Sequence, residues 1–317
     1  MKRVLFLFAL ALVGAGCQPP EPVVPQGTQY GISVSPEAQG AEAFASFFDL
    51  QKQAGPVLSW AGNWKELDKE NGAPVVVAEL SKQKSFTPVV VFGIKREDLA
   101  SETDRQALLD ALSGFAKAHP VAYLGIGNEI NRDFEASSTQ EKAFSGFFHD
   151  AAAAIKKVAP KTRVFTVFQY EWLVGRRGGL FGGLDDPSKA QWTMLDDFPD
   201  ADLIAFTSYP SLVYHNPSDI PADYFSAIVQ HTGKPVAITE TGWFRGALPG
   251  WEGSAEKQAT YIMRLPGLVS TVKPLFVIWP FLYDQSAAQA PFDTMGLLKP
   301  GSSTSSAWDA WKDLVRP

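Results

Sequence analysis

Cysteine is almost absent from the sequence: the 317 residues include one, Cys17. It cannot form an intramolecular disulfide, and it has no partner cysteine for a metal site. Basic charge is also scarce, because 28 Lys and Arg stand against 34 Asp and Glu and leave a net charge of −6. Since nucleic acids are usually bound through a basic surface, we expect no nucleic-acid partner.

The motifs of several enzyme classes are missing as well. The sequence contains no Gly-x-Gly-x-x-Gly, no Walker loop, no His-Glu-x-x-His and no Gly-x-Ser-x-Gly. It therefore gives no support to nucleotide binding, zinc-dependent proteolysis or esterase chemistry. We expect the protein to use neither a metal nor an organic cofactor.

The apolar run at the N terminus, residues 4–13, is too short for an ordinary membrane-spanning helix. Lys2 and Arg3 precede it, and three small residues separate it from Cys17. The segment resembles a bacterial lipoprotein signal, in which the cysteine becomes the first residue and carries acyl chains. Gly14 stands where such signals usually have Leu, and an ordinary signal peptide with an incidental cysteine is the alternative.

The N-terminal pattern also predicts where the protein resides. Residues 1–16 are predicted to be the signal peptide, and residues 17–28 a proline-rich tether with the lipid anchor on Cys17. Four prolines among residues 18–26 favour an extended chain. We therefore expect an exported, membrane-anchored lipoprotein of the bacterial cell envelope, periplasmic or on the cell surface, whose only membrane contact is this anchor.

Residues 29–317 alternate between short apolar runs and longer amphipathic stretches, the pattern typical of βα units around a parallel sheet. The near-continuous apolar character of the runs indicates strands covered on both faces. Eight runs can be counted, at residues 30–34, 57–60, 88–92, 122–126, 164–168, 203–207, 235–239 and 275–279. We predict an α/β protein, a single-domain (β/α)8 TIM barrel.

Helical periodicity places most of the intervening helices. They are predicted at residues 41–54, 103–119, 138–158, 254–265 and 302–315, the last with Trp308 and Trp311 facing inward. The valine-rich segment 61–85 does not reveal where its helix lies. Residues 175–186 hold five Gly and two Arg and are predicted to form a long loop, of the kind that often lines a barrel's active site.

Two glutamates directly follow predicted buried strands. The fourth run leads into Asn128 and Glu129, and the seventh leads into Glu240. A charged side chain beside a buried strand costs free energy unless it is paired or used. Taken singly, each glutamate could instead be an acid in the first turn of a helix. Strands four and seven lie across the mouth of an eight-stranded barrel, so we expect the two carboxyls to converge there.

The Gly-Asn-Glu at 127–129 and the Thr-Glu-Thr-Gly-Trp at 239–243 resemble motifs of clan A of the retaining glycoside hydrolases. The resemblance extends over the whole barrel. It implies that Glu129 is the acid/base and Glu240 the nucleophile, and that Asn128 binds the 2-hydroxyl of the sugar. For this chemistry Glu129 needs a raised pKa while Glu240 stays ionised.

Other strand ends fit the same resemblance. Strand six ends in Thr-Ser-Tyr-Pro, similar to the Tyr-Pro turn of the endo-β-1,4-galactanase family, and Tyr209 is implied to hydrogen-bond the nucleophile. Trp279, at the end of strand eight, matches the clan's sugar-stacking Trp. Further aromatic residues at strand ends are predicted to line sugar subsites, with core packing as the alternative for each: Trp60, Trp64, Trp172 and Trp243.

One departure from the clan concerns strand two, where many members carry an arginine that helps to keep the nucleophile ionised. Residues 58–64 read Leu-Ser-Trp-Ala-Gly-Asn-Trp and contain no arginine. Either another group replaces it, with the Arg176-Arg177 pair as a candidate, or the protein belongs to a divergent branch.

The sequence thus predicts a monomeric retaining glycoside hydrolase that cleaves a β-linked polysaccharide or oligosaccharide. Two alternatives remain open. A transglycosylase would use the same carboxylates but pass the sugar to another hydroxyl. A non-catalytic carbohydrate-binding lipoprotein would keep the barrel and its aromatic cleft.

Overall fold

The computed structural model describes residues 27–38, 40–69 and 71–316. The predicted signal peptide and Cys17 lie outside these residues. The described chain is a single domain built around a closed barrel of eight parallel strands, in the order β1-β10-β7-β6-β5-β4-β3-β2. Following the barrel around, each strand pairs with the barrel strands that precede and follow it in the chain, and the last closes against the first. The predicted TIM barrel is therefore confirmed.

The barrel strands coincide with the eight predicted apolar runs, with ends that differ by three residues at most. They are β1 Gln29–Ser33, β2 Val57–Asn63, β3 Thr87–Gly93, β4 Tyr123–Ile126, β5 Arg163–Gln169, β6 Leu203–Ser208, β7 Val236–Thr241 and β10 Phe276–Trp279. A small antiparallel pair, β8 Ala247–Leu248 and β9 Trp251–Glu252, lies in the loop after β7.

Helices cover the outside of the barrel. Those described are α1 Ala41–Gln51, α2 Ala73–Lys84, α3 Glu102–Ala118, α4 Ile130–Asp133, α5 Thr139–Val158, α6 Tyr170–Leu173, α7 Ile228–His231, α8 Ala255–Leu268 and α9 Ser306–Val315. Serine side chains cap the N termini of α3, α5, α8 and α9 by accepting a backbone N–H of the first turn. None of the helices in the described ranges is long and apolar enough to cross a membrane.

Short 3-10 helices fill several of the loops. They are Trp64–Asp68, Arg96–Leu99, Gly179–Phe181, Pro187–Lys189, Trp192–Asp197, Pro210–Leu212, Pro217–Asp219 and Phe292–Thr294. The segment 61–85, which sequence periodicity left unplaced, divides into the end of β2, a 3-10 turn and α2. The predicted loop at 175–186 contains one 3-10 turn and no longer element. Because α6 and α7 have only four residues each, loops form much of the wall beside β5 and β6.

The strands separate two apolar cores. The inner core fills the barrel and includes Val91, Phe165 and Ile278. The outer core lies between strands and helices and includes Trp308 and Trp311, which are 1% and 0% exposed, as their predicted inward orientation requires. Since the barrel interior is filled by side chains, any site must lie at the strand ends.

Candidate active site

The turn after β4 places Glu129 at the barrel mouth, the rim formed by the C-terminal ends of the strands. Gly127 and Glu129 have left-handed backbone conformations, with φ of 84° and 50°. At Gly127 a β-carbon would lie 2.4 Å from Cγ2 of Ile130, so the position requires glycine. Glutamate rarely adopts such a conformation unless the surrounding structure enforces it. Here the Arg132 amide donates to the Glu129 carbonyl at 2.9 Å, which fixes the residue at the start of α4.

β7 contains an irregularity just before Glu240. Ile238 pairs with Phe206 of β6, but the next pair in the ladder is Glu240 with Thr207. Thr239 is therefore an extra residue, which makes this a β-bulge. Bulges bend a strand and change the direction in which the following side chains point.

The bulge decides which face of the barrel Glu240 occupies. Ala237 packs in the inner core and Ile238 in the outer core. Regular alternation would put residue 240 on the outer side with Ile238, and residue 241 on the inner side. Instead the hydroxyl of Thr241 hydrogen-bonds to Tyr261 of α8, on the outer side. The extra residue thus turns Glu240 inward, toward the mouth.

Thr207 connects the two glutamates. Its hydroxyl donates to Oε1 of Glu129 at 2.7 Å, and its backbone is the partner of Glu240 in the β6–β7 ladder. The other oxygen of Glu129 accepts from Nη1 of Arg132 at 3.0 Å. Glu240 accepts from the hydroxyl of Tyr209 at 2.5 Å. The structure therefore brings Glu129, Glu240 and Tyr209 together at the mouth.

The environment of Glu240 favours its neutral form. Burial, and then the charge of Glu129, raise the pKa of Glu240 to about 7. Hydrogen bonds from Tyr209 and from the side chain of Asn128 act in the opposite direction. The chemistry inferred from the sequence has Glu240 ionised at neutral pH, whereas a pKa near 7 leaves it only partly ionised there.

The Arg176-Arg177 pair does not stand in for the missing strand-two arginine. Arg176 lies over the ring of Tyr224, with its guanidinium carbon 4.6 Å from the ring centroid. Arg177 lies over Trp172 at 4.4 Å. Both guanidiniums thus stack on other rings, and the groups that lower the pKa of Glu240 are a phenol and an amide. Because no cation is among these groups, burial and the charge of Glu129 keep the pKa of Glu240 raised.

The raised pKa of Glu240 predicts how its replacement changes stability. The pKa of Glu240 is near 4.5 in the unfolded chain and near 7 in the folded chain. Ionisation of this carboxyl therefore leaves the free energy of unfolding unchanged below pH 4.5 and lowers it by the full difference above pH 7. We expect Glu240→Gln to match the wild type below pH 4.5 and to exceed its free energy of unfolding by up to about 3 kcal/mol above pH 7. Denaturant unfolding across this range measures the difference.

The matched control for this measurement is Glu42→Gln, which removes a carboxyl that is exposed in the first turn of α1. Its unfolding should follow the wild-type pH dependence. A constant difference between Glu240→Gln and the wild type at all pH values would contradict the raised pKa.

Two of the predicted aromatic residues do not reach the mouth. Trp243 and Trp279 are 1% and 0% exposed, and both pack against Tyr261 in the outer core. A ring without accessible surface cannot stack on a sugar. Trp243 and Trp279 are therefore core residues, and the predicted subsite role is corrected for both. Trp60 is half-buried: its ring packs against the outer core, 5.7 Å from that of Phe92, and it also lines a cavity with Pro36 and Gln285 from the loops after β1 and β10.

The other two predicted tryptophans are half-buried at strand ends. Trp64 begins the 3-10 turn after β2. Trp172 lies in α6, directly after β5, within 6.1 Å of the ring of Phe181 and beneath the guanidinium of Arg177. Of the five predicted tryptophans, Trp172 is thus the one placed against charged groups near Glu129.

Sequence reasoning missed the aromatic cluster that surrounds Tyr209. Phe292 meets Tyr209 edge to face with ring centroids 5.0 Å apart. Partly buried Phe181, Trp251 and Phe281 pack against the same cluster. Phe181 and Phe292 lie in 3-10 turns of the loops, Trp251 in the short strand β9, and Phe281 just beyond β10. The pattern of barrel strands therefore carried no signal for them.

A third carboxyl, that of Glu171, directly follows β5, among the strand-end residues that could line a subsite. It is fully buried and accepts hydrogen bonds from the hydroxyls of Ser208 and Tyr224, both at 2.7 Å, and from the side chain of Gln169. Burial raises its pKa. Its position after β5 was the available signal, but its partners at 208 and 224 are distant in sequence. These bonds tie the end of β5 to the end of β6.

Within residues 27–38, 40–69 and 71–316, no group of three or more His, Cys, Asp or Glu is placed to hold a metal ion. The donors recorded around the carboxyls of Glu129 and Glu240 are hydroxyl, phenol, guanidinium and amide groups.

Comparison with known proteins adds a likeness in fold. No family model matches the sequence, and no curated protein matches it either. Among solved structures, an exo-β-1,4-mannosidase from Opitutaceae bacterium strain TAV5 matches with a TM-score of 0.65 at 12% identity, over 91% of this chain. This chain spans 59% of the mannosidase, less than two thirds of its length.

Two other solved structures match over nearly their whole length. The family 53 glycoside hydrolase catalytic domain of Ignisphaera aggregans has a TM-score of 0.64 at 15% identity, over 94% of this chain and 99% of that one. A family 17 β-1,3-glucanosyltransferase from Rhizomucor miehei has a TM-score of 0.60 at 16% identity, over 86% and 93%. These likenesses show that the chain shares its TIM-barrel fold with glycoside hydrolases and a glucanosyltransferase, at low sequence identity.

Proposed function

We propose that the protein is a retaining glycoside hydrolase that cleaves a β-linked polysaccharide or oligosaccharide. The observation that carries the proposal is the pairing of Glu129 with Glu240, which lie near enough for the charge of one to raise the pKa of the other. Each is also held by a hydroxyl of the intervening strand end, Thr207 for Glu129 and Tyr209 for Glu240. Enzymes that cleave glycosidic bonds typically use two carboxyl groups that flank the bond.

In the first step of the proposed mechanism, Glu240 attacks the anomeric carbon. The bond from that carbon to the leaving oxygen breaks, and Glu129 gives its proton to the leaving oxygen. In the second step Glu129 takes a proton from water, which attacks the anomeric carbon and releases Glu240. The active form therefore has the proton on Glu129 and the charge on Glu240, where the Tyr209 hydroxyl and the Asn128 amide stabilise it.

The β-linkage is proposed from the resemblance to clan A and from what the matching structures are: a β-1,4-mannosidase, a β-1,3-glucanosyltransferase and a family 53 glycoside hydrolase. The Tyr209-Pro210 turn resembles that of the galactanase family, which makes β-1,4-galactan one candidate substrate.

The test is a screen of β-galactan, β-glucan, mannan and xylan, with new reducing ends measured for the wild type and for Glu240→Gln. The proposal requires that the wild type releases reducing ends from at least one polymer and that the variant does not. If neither these four polymers nor anionic β-linked oligosaccharides are cleaved, the proposed hydrolysis fails and carbohydrate binding without catalysis becomes the better reading. If the variant is as active as the wild type, the proposed role of Glu240 fails.

Transglycosylation is the second candidate activity, and the match to a β-1,3-glucanosyltransferase over 93% of that chain favours considering it. It uses the same covalent intermediate, but a sugar hydroxyl replaces water in the second step. Product analysis with and without added acceptor sugar separates the two. Products longer than the substrate would indicate transfer, and shorter products alone would indicate hydrolysis.

We also propose that the protein is exported and anchored to the membrane through a lipid on Cys17. The support is the N-terminal sequence alone, which has a basic start, a ten-residue apolar run and the sole cysteine of the chain. Labelled palmitate should be incorporated by the wild type and not by Cys17→Ser. Labelling of the serine variant would overturn the proposal.

A further inference from the structure

A basic cavity of about 390 Å³ opens beside Glu129. Its wall carries four cationic side chains and one tryptophan: Arg96, Arg132, Arg177, Lys189 and Trp172. The four cations come from the loop after β3, from α4 and from the long loop after β5. A protein with a net charge of −6 has thus concentrated positive charge at one place on its rim.

The cavity adjoins the proposed acid/base residue. Arg132 lines it and also donates to Oε2 of Glu129 at 3.0 Å, so one side chain separates the cavity from the carboxyl. In a retaining glycosidase the acid/base carboxyl meets the leaving oxygen. A sugar that occupied this cavity would therefore belong to the leaving-group side of the scissile bond.

Most of the positive charge in the cavity is not neutralised by ion pairs. Among the described residues, Arg132 is the one lining cation recorded in an ion pair, with Glu129. Arg96 donates to the backbone carbonyl of Asp133, and Arg177 donates to that of Lys189 at 3.4 Å. Bonds to carbonyl oxygens leave the charge of a guanidinium intact.

The acidic groups near the cavity are fewer than the cations. Glu135 lines the wall, and Asp186 lies nearby: hydrogen bonds from Ser188, and then the charges of Lys189 and Arg177, lower the pKa of its carboxyl. With Glu129 at the edge, three carboxyls face four cations.

The two amide side chains that line the cavity, those of Asn131 and Gln191, are both hydrogen-bonded to protein groups. The Asn131 amide donates to the carbonyl of Gln169 and to the side chain of Gln191, both at 3.0 Å. Gln191 donates back to the Asn131 backbone carbonyl at 3.2 Å, and the Gln169 backbone N–H donates to Oδ1 of Asn131 at 2.7 Å. The cations therefore offer an anionic ligand stronger contacts than these amides do.

Trp172 holds two of the cations in place. The guanidinium of Arg177 lies 4.4 Å from its ring centroid and that of Arg132 lies 5.8 Å from it. Stacking on an aromatic ring limits the freedom of an arginine side chain while leaving its N–H groups available. These two arginines are thus ordered before a ligand arrives.

We propose that the cavity is a subsite for an anionic sugar, in which a carboxylate or sulfate group on the leaving-group side of the substrate pairs with Arg177 and Lys189. This names the substrate class of the proposed hydrolase and rests on that function. Guanidinium groups bind planar oxyanions through paired, charge-assisted hydrogen bonds, which neutral hydroxyls cannot match.

The experiment compares ligands that share a sugar backbone and differ in the group at C6: cello-oligosaccharides, their C6-oxidised uronate form and their 6-sulfated form, with mannan and mannuronate oligosaccharides as a second pair. Calorimetry measures their binding to Glu240→Gln in the whole chain, so that ligands are not consumed. We expect an anionic form to bind about tenfold more tightly or better than its neutral counterpart at low salt, and less so as salt rises. The uronate and sulfate arms show which anion is preferred.

The decisive variants add Arg177→Gln and Lys189→Gln to Glu240→Gln. They should reduce the preference for the anionic form to within about twofold. The control adds Lys117→Gln and Lys142→Gln, which remove two exposed charges from α3 and α5 and should leave the preference unchanged. An unchanged preference in the Arg177 and Lys189 variant, tighter binding of the neutral form, or no binding of any anionic form overturns the inference.

These outcomes are distinct from those of the function test. Cleavage of a neutral polymer that depends on Glu240, together with no preference for anionic ligands, would leave the hydrolase standing and remove the subsite. Absence of cleavage in every polymer and in the anionic oligosaccharides would remove the hydrolase itself.

Discussion

Replacing Glu240 by Gln is expected to lower hydrolysis of whichever polymer the wild type cleaves by roughly four orders of magnitude or more. The amide cannot form the covalent bond to the anomeric carbon, so the first step of the mechanism is lost. The fold should persist, because Gln keeps the shape of the side chain and can still accept from the Tyr209 hydroxyl. The measurement is the rate of reducing-end release, with a thermal unfolding curve of the same sample.

Glu42→Gln is the control for the loss of one carboxyl, since Glu42 is exposed on α1, far along the chain from either motif. Its rate should equal that of the wild type. A Glu240→Gln protein that is folded and retains more than about one hundredth of wild-type activity would remove Glu240 from the role of nucleophile.

Replacing Glu129 by Ala should give a different defect, which identifies the acid/base. We expect cleavage of polysaccharide to fall by roughly a hundredfold or more, because an alkoxide is a poor leaving group without protonation. An aryl glycoside with an acidic phenol needs no such proton, so its first step should remain fast. The second step then lacks its base, and azide, which needs none, should accelerate turnover by attacking the glycosyl-enzyme.

The configuration of the azide product assigns the roles. With Glu129→Ala, azide attacks the intermediate from the face opposite Glu240 and should give the β-glycosyl azide from a β-glycoside. With Glu240→Ala, azide takes the place of the nucleophile and should give the α anomer. The opposite pair of products, read by NMR, would exchange the two roles.

The barrel could be predicted from the sequence because its strands are covered on both faces and therefore read as apolar runs bounded by polar loops. The same property hid which residues of a strand face inward. In β10, Ile278 belongs to the inner core and Trp279 to the outer core, yet both are apolar and the sequence does not distinguish them. The predicted sugar contact of Trp279 failed for this reason.

The candidate carboxyls were accessible to sequence reasoning because a glutamate at the end of an apolar run is conspicuous. Their supporting groups were not. Thr207 has no unusual feature in the sequence, and it is 78 residues away from Glu129, to which it hydrogen-bonds in the folded barrel. The basic cavity could not be predicted from the sequence for a similar reason. Its cations Arg96, Arg132 and Lys189 come from three separate segments that only the closed barrel brings together.

The bulge at Thr239 is not needed to form the barrel, but it decides where the Glu240 carboxyl points. A regular seventh strand would satisfy the barrel's hydrogen bonding equally well, but its glutamate would point into the layer between strands and helices. Stability would then select against the buried charge rather than preserve it. One additional residue in a single strand therefore distinguishes a barrel that can carry a paired carboxyl site from one that is only a scaffold.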